Sequence, residues 1–250
     1  MDGFKEIFLE KQNHYHENFN FSNFRERKDV YSFCLGEGPL DWTNFSQAYF
    51  QDKRLFSKYI GVPKSNLGYG KDIKWQQIDF LDSRHIFFST FVFSYCKNIK
   101  NILEIGCGYG NMFRLNHSVI DFDQWTMVDL PFVSDLQKWY LGHEVKDLSR
   151  AKFVSANDYS SLYNEKFDLC IGSHSLSELA WDDFISYYET IVKNSKYFFY
   201  AGHNWHGGRD LLKRKLDLIN QDFDLVKQCD EDFIDSYDNN GLYNNLYLRK

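Results

Sequence analysis

The chain has 250 residues, of which 43% are hydrophobic and 26% charged, and its formal net charge is −6 at pH 7. That length and balance are enough to bury a core and exclude an intrinsically disordered chain. The acidic balance argues against a protein that grips long nucleic acid through many phosphate contacts, although it leaves room for local basic patches.

The N-terminus, MDGFKEIFLEKQ, mixes charge into its apolar residues and lacks the apolar core of a secretion signal. No stretch approaches the 18 uninterrupted apolar residues of a membrane span. Cys34, Cys96, Cys107, Cys170 and Cys229 are odd in number, far apart and without a CxxC pair, so they read as reduced thiols. A soluble cytoplasmic protein is expected.

Residues 1–97 are aromatic-rich, broken by LGEGPLDW and GVPKSNLGYGKD, and show no strand alternation. WQQIDFLDSRHIFFSTFVFSYC, residues 75–96, is predicted to be a long helix, with shorter helices before it. This part is expected to cover a second unit, residues 98–250, without forming a free domain.

From about residue 98, apolar runs alternate with longer helical patterns, as in a sheet covered by helices. The predicted strands are 101–106, 125–130, 152–156, 167–173, 196–201, 223–229 and 242–250. Helices follow from the apolar spacing of Trp181, Phe184, Ile185, Tyr188, Ile191 and Val192, and again over 209–220. No helical stretch separates the last two strands, so they are expected to pair antiparallel. The fold class is α/β: a mostly parallel seven-stranded sheet with an antiparallel last strand.

NILEIGCGYGN places Gly106, Gly108 and Gly110 at alternate positions directly after the first strand. Glycines there open backbone angles closed to other residues and remove side chains where a ligand must approach. The dinucleotide fingerprint G-x-G-x-x-G needs a glycine at position 111, which is Asn111, so the spacing disfavours a nicotinamide dinucleotide.

Glu104 followed by the three alternate glycines resembles the first motif of the class I S-adenosylmethionine-dependent methyltransferases, and the resemblance covers residues 98–250. It implies a Rossmann-like methyltransferase sheet with S-adenosyl-L-methionine as cofactor. Glu104, Gly106, Gly108 and Gly110 would then lie against the methionine part, and Asp129, ending the second strand in MVDLP, would bind the ribose hydroxyls. Asn157 or Asp158 after the third strand would contact adenine, with Ala156 lining the ring and Ser173 beside the cofactor. Taken singly, the glycines also suit a tight turn, and Asp129 suits a helix N-cap before Pro131.

A hydroxyl acceptor needs a base at the same edge of the sheet. His203 in YAGHNWHGG and His174 in IGSHSLSEL are the candidates, since imidazole titrates near neutrality. His203 and His206 form an HxxH pair, but no third metal ligand is evident and metal dependence stays open. Ser175 and Glu178 read as a capping box opening the following helix.

The segment after the fourth strand has no proline and differs from the Asn-Pro-Pro-Tyr-like motif of amino-methylating relatives. FDLCIGSHSLSEL with the long aromatic N-terminal arm resembles the sugar O-methyltransferases of bacterial capsule and lipopolysaccharide biosynthesis. The resemblance implies a sugar or nucleotide-linked sugar as substrate. Arg84, His85, Arg209, Lys213 and Arg214 are candidate partners for a diphosphate, Lys213 and Arg214 also suiting a solvated helix face. Trp42, Phe45, Tyr69 and Trp75 are candidates to line the pocket. Two other readings compete: a non-sugar small-molecule or RNA methyltransferase, and a binding protein that kept the fold without catalysis.

Overall fold

Seven apolar runs form seven strands, each end within one residue of its predicted position: β1 (Asn101–Ile105), β2 (Gln124–Asp129), β3 (Ala151–Ser155), β4 (Phe167–Ser173), β5 (Ser195–Gly202), β6 (Phe223–Gln228) and β7 (Tyr243–Arg249). The computed structural model describes residues 21–26, 42–65, 67–68, 80–203, 207–228 and 243–250, with only the backbone of residues 23, 26, 42–45, 80 and 81. Its helices are α1 (Trp42–Gln51), α2 (Lys53–Ile60), α3 (Phe80–Tyr95), α4 (Asn111–His117), α5 (Pro131–Glu144), α6 (Trp181–Thr190) and α7 (Gly208–Asp222). A 3₁₀ turn spans Phe21–Glu26.

The strands form one sheet in the order β3-β2-β1-β4-β5-β7-β6. β1 to β5 are parallel, and β7 runs antiparallel to both β5 and β6. The expected antiparallel pairing of the last two strands is present. In addition, the last strand inserts between β5 and β6, which leaves β6 at the edge. Burial explains the placement: Tyr243, Asn245, Leu246 and Tyr247 are buried in β7, whereas Asp224, Leu225, Val226 and Gln228 of β6 face solvent. A strand that buries both faces belongs inside a sheet, and a charged strand tolerates its edge.

Helices pack on both faces. Ile102, Trp125, Met127, Leu169, Ile171 and Phe199 share one core with residues of α3, α4 and α5. Leu103, Ile105, Val128, Cys170, Phe198 and Tyr200 share the other with residues of α6 and α7. α3 is apolar nearly all round, as its sequence FLDSRHIFFSTFVFSY requires of a buried helix.

The described residues before position 98 join the first core through Phe24, Ala48, Phe56 and Tyr59. Tyr59 donates to Asn116 Oδ1 (2.6 Å), and Asn116 donates to Ser89 (2.8 Å), tying α2, α4 and α3 together. Cys96, Cys107 and Cys170 are buried free thiols. Among the described residues, no helix is long and apolar enough to cross a membrane.

Strand order reverses between β1 and β4, because β2 and β3 lie to one side and β4 and β5 to the other. In open α/β sheets such a switch point opens a crevice beyond the carboxyl ends of the strands, where ligands bind.

Candidate functional site

The glycine turn lies at that crevice. Gly106, Gly108 and Gly110 all have positive φ, at 73°, 54° and 87°. A Cβ on Gly106 would fall 2.1 Å from the Ser175 Cβ, so the turn after β4 approaches the backbone here as only glycine permits. Gly110 is the N-cap of α4 in the left-handed conformation.

Asp129 is bound to this turn. Gly108 N donates to its Oδ2 (3.0 Å), Leu130 N to its Oδ1 (2.8 Å), and Gln137 Nε2 bridges Oδ2 (3.2 Å) and Gly108 O (2.8 Å). Burial raises the Asp129 carboxyl to about 7 against those donors. Leu130 is the N-cap of α5 and Pro131 its first residue, so Asp129 does not cap the helix. Gly106, Gly108 and Asp129 stay half-buried and within reach of a ligand.

Glu104 is placed differently, 3% exposed beneath the turn. Trp125 Nε1 donates to its Oε2 (2.8 Å). Burial, with a smaller contribution from Asp129, raises its carboxyl to about 8. Beyond β3, Ala156 N donates to Asp129 O (2.7 Å), which brings this strand end beside the carboxylate. Asn157 and Asp158 are exposed there, and Ser173 ends β4 opposite Ala201. Sequence reasoning missed Tyr159 and Tyr187, which stack at 4.0 Å and 16° on this side. The signal in the sequence was an aromatic residue, Tyr159, directly after Asn157 and Asp158.

Both candidate histidines lie at the same edge. The His174 and His203 rings are 5.6 Å apart, and Phe88 of α3 stacks on His174 at 6.1 Å. His174 adopts φ 60°, a conformation uncommon outside glycine, with its N–H donating to Ala201 O (2.8 Å). Burial, followed by the Arg84 charge, holds His174 well below the usual histidine range. Burial also lowers His85 to about 3, and its Nδ1 lies 3.2 Å from Asn111 Nδ2. Asp82 of the same helix pairs with Arg114 (2.9 Å), fixing α3 against α4.

The capping box does not form. α6 starts at Trp181 with Ala180 as N-cap and no side-chain cap. Ser175 Oγ donates to Ile105 O instead, and Glu178 Oε1 lies 3.2 Å from His203 Nε2. Both side chains have tertiary partners in place of the local ones their spacing offers.

No protein-family model matches the sequence, and no curated protein matches it. Solved structures do. The PH0226 protein from Pyrococcus horikoshii OT3 is similar over 72% of this chain and 94% of its own, with a TM-score of 0.53 at 15% identity. The methyltransferase domain of bacterial CtHen1-C is similar over 61% of this chain and 90% of its own (TM-score 0.48, 13% identity). The glycopeptide N-methyltransferase MtfA, complexed with (S)-adenosyl-L-methionine, is similar over 65% and 92% (TM-score 0.48, 13% identity). The fold shared with the PH0226 protein is an open, mostly parallel, Rossmann-like α/β sheet.

At this crevice, a half-buried carboxylate and a glycine turn joined by one hydrogen bond suit a ligand that carries hydroxyl groups. A carboxylate accepts from ribose hydroxyls, and positive-φ glycines keep side chains out of the way. The substrate side is more mixed. Arg84 is half-buried in α3, and Arg209 is exposed in the first turn of α7. His85 stays neutral and is therefore a hydrogen-bonding group, not a cation for phosphate. Arg214 lies 3.7 Å over the Trp181 ring, on the outer side of α7. Tyr69, Trp75 and His206 lie outside the described residues, as do the side chains of Trp42 and Phe45. Among the described residues no group of three His, Cys, Asp or Glu could hold a metal ion.

Proposed function

We propose that the chain is an S-adenosylmethionine-dependent O-methyltransferase acting on a hydroxyl of a sugar or nucleotide-linked sugar, in surface polysaccharide biosynthesis. The observation that carries the reading is the Gly108–Asp129 hydrogen bond at the switch point, which couples a positive-φ glycine turn to a half-buried carboxylate. When bound, S-adenosylmethionine supplies an electrophilic methyl group on a sulfonium. Asp129 holds the ribose hydroxyls, and Asn157 and Asp158 flank the adenine.

His203 takes the proton of the acceptor hydroxyl, with Glu178 against its ring. His174, kept neutral by burial, offers a hydrogen bond to the same acceptor. Arg84 and Arg209 supply positive charge for a diphosphate, which His85 does not. Residues 1–97 form the cover of the acceptor side, and residues 98–250 the cofactor-binding domain.

A second reading, a binding protein without catalysis, draws on Gly106, which packing against Ser175 requires whether or not a ligand binds. Labelled methyl transfer from S-adenosylmethionine to pooled sugars, nucleotide sugars and RNA separates the readings. Label is expected on a sugar hydroxyl, with a loss of ~100-fold in His203→Ala. Label on RNA, label on nitrogen, or full activity in His203→Ala would overturn the assignment.

A further inference from the structure

Lysine is among the residue types least often buried, yet Lys215 in the middle of α7 is 1% exposed. Its ammonium donates to Leu176 O (3.0 Å), Ser177 O (3.0 Å) and Leu179 O (2.6 Å). Three donors meet three carbonyls. Hydrogen bonds from an ionised donor are about twice as strong as neutral ones, so this is a firm clamp. The Phe184 ring, 5.0 Å from the ammonium, closes the site on the α6 side.

All three carbonyls belong to the turn between β4 and α6. That turn has no side-chain cap at its helical end, and Lys215 takes over the task of fixing it. At its start, Ser175 is bound to Ile105 O. In its middle, Ser177 lies so close to β5 that a Cβ on Gly202 would fall 2.3 Å from the Ser177 Cβ. The residue the clamped turn presents is Glu178, 3.2 Å from His203 Nε2. Burial lowers the Lys215 ammonium to about 8 and the Glu178 charge opposes that shift, so the two side chains sense each other.

We propose that Lys215 is a positioning residue for the acceptor side: it fixes the turn that presents Glu178 to His203, and Glu178 thereby fixes the orientation and tautomer of the His203 ring. A carboxylate only accepts hydrogen bonds. The neutral ring therefore carries its proton on Nε2, and Nδ1 is the nitrogen that accepts. The inference rests on the base role given to His203, but its test does not depend on that role.

The test is ¹⁵N NMR of the histidine rings in the full chain with S-adenosylhomocysteine, His203 being assigned by its loss in His203→Gln. The neutral His203 ring is expected in the single Nε2–H tautomer. Lys215→Met and Glu178→Ala are expected to give a mixture of tautomers, while Glu178→Gln, which keeps an accepting oxygen, retains the single form. Methyl transfer in Lys215→Met is expected to fall on the order of a hundredfold in kcat, as for a misplaced catalytic group, with cofactor affinity within about threefold. If Lys215→Met does not fold, Lys215→Arg keeps the charge but presents its donors in a plane, and mixing is expected there too.

An Nδ1–H tautomer in the parent, or a tautomer unchanged in both the Lys215 and the Glu178→Ala variants, would overturn the proposal. Full activity in His203→Ala would instead overturn the base assignment and leave the tautomer result standing.

Discussion

Ser175 occupies the place a side chain on Gly106 would take, with the Ser175 Oγ 2.7 Å and its Cβ 2.1 Å from a Cβ built there. The turn after β1 and the turn after β4 are thus one packed unit. Gly106→Ala combines this clash with a positive φ and is expected to lower stability by roughly 2–4 kcal/mol, from overpacking and the left-handed backbone together. Ser175→Gly in the same chain should restore the packing part and leave the backbone part. Thermal unfolding of the two single variants and the double variant measures the coupling.

On the proposed function, Asp129 sets the pH dependence of cofactor binding. Its carboxyl is raised to about 7 by burial, and the ionised form is the one that accepts from ribose hydroxyls. Affinity for S-adenosylhomocysteine is therefore expected to be full above pH 7 and to fall about tenfold per unit below it, toward the ordinary carboxylate range. In Asp129→Asn that slope should vanish. Titrations from pH 5.5 to 8.5 give the answer.

Glu104 gives stability the opposite pH dependence. Its folded-state value, about 8, lies above its ordinary value of 4.5, so the folded chain holds a proton that the unfolded chain has lost between those limits. Its stabilising contribution is full below pH 4.5 and is lost as pH rises through 8, at ~1.4 kcal/mol per unit. Glu104→Gln keeps an acceptor for Trp125 and removes the titration. Urea unfolding at pH 6 and pH 8.5 should show a smaller loss in the variant than in the parent.

Asp82 and Arg114 form a buried ion pair between α3 and α4, with side chains 8% and 4% exposed. Removing one partner strands the other charge, so Asp82→Ala is expected to cost about 3–5 kcal/mol. Arg84 and His85 lie on the same helix, and their placement should loosen with it. Unfolding midpoints test the first expectation, and ring NMR of His85 the second.

The strands were legible because their apolar runs are short, separated and bounded by turn residues, and the glycine turn and Asp129 lie at the carboxyl edge of the sheet, where their place after the first two strands puts them. The insertion of β7 between β5 and β6 was not legible, because strand pairing depends on contacts between distant segments. Ser175 and Glu178 misled because a capping box is a local pattern, and both side chains found distant partners in Ile105 and His203. Lys215 carried a signal that went unused. It lies four residues after Leu211 and four before Ile219, on the apolar stripe of α7, but its neighbours Lys213 and Arg214 made the segment read as a charged surface. The neutrality of His85 follows chiefly from burial, with Arg84 and Arg114 adding to it, and sequence spacing does not encode burial.

The most direct test of the central claim is calorimetric titration of the purified chain and of Asp129→Ala with S-adenosylmethionine and S-adenosylhomocysteine. Binding of the parent with a Kd on the order of micromolar, equivalent to ~8 kcal/mol, is predicted, with a weakening of at least tenfold in the variant. Absence of binding to cofactor-free parent protein, or equal binding in Asp129→Ala, would contradict the assignment of the glycine turn and Asp129 to this cofactor.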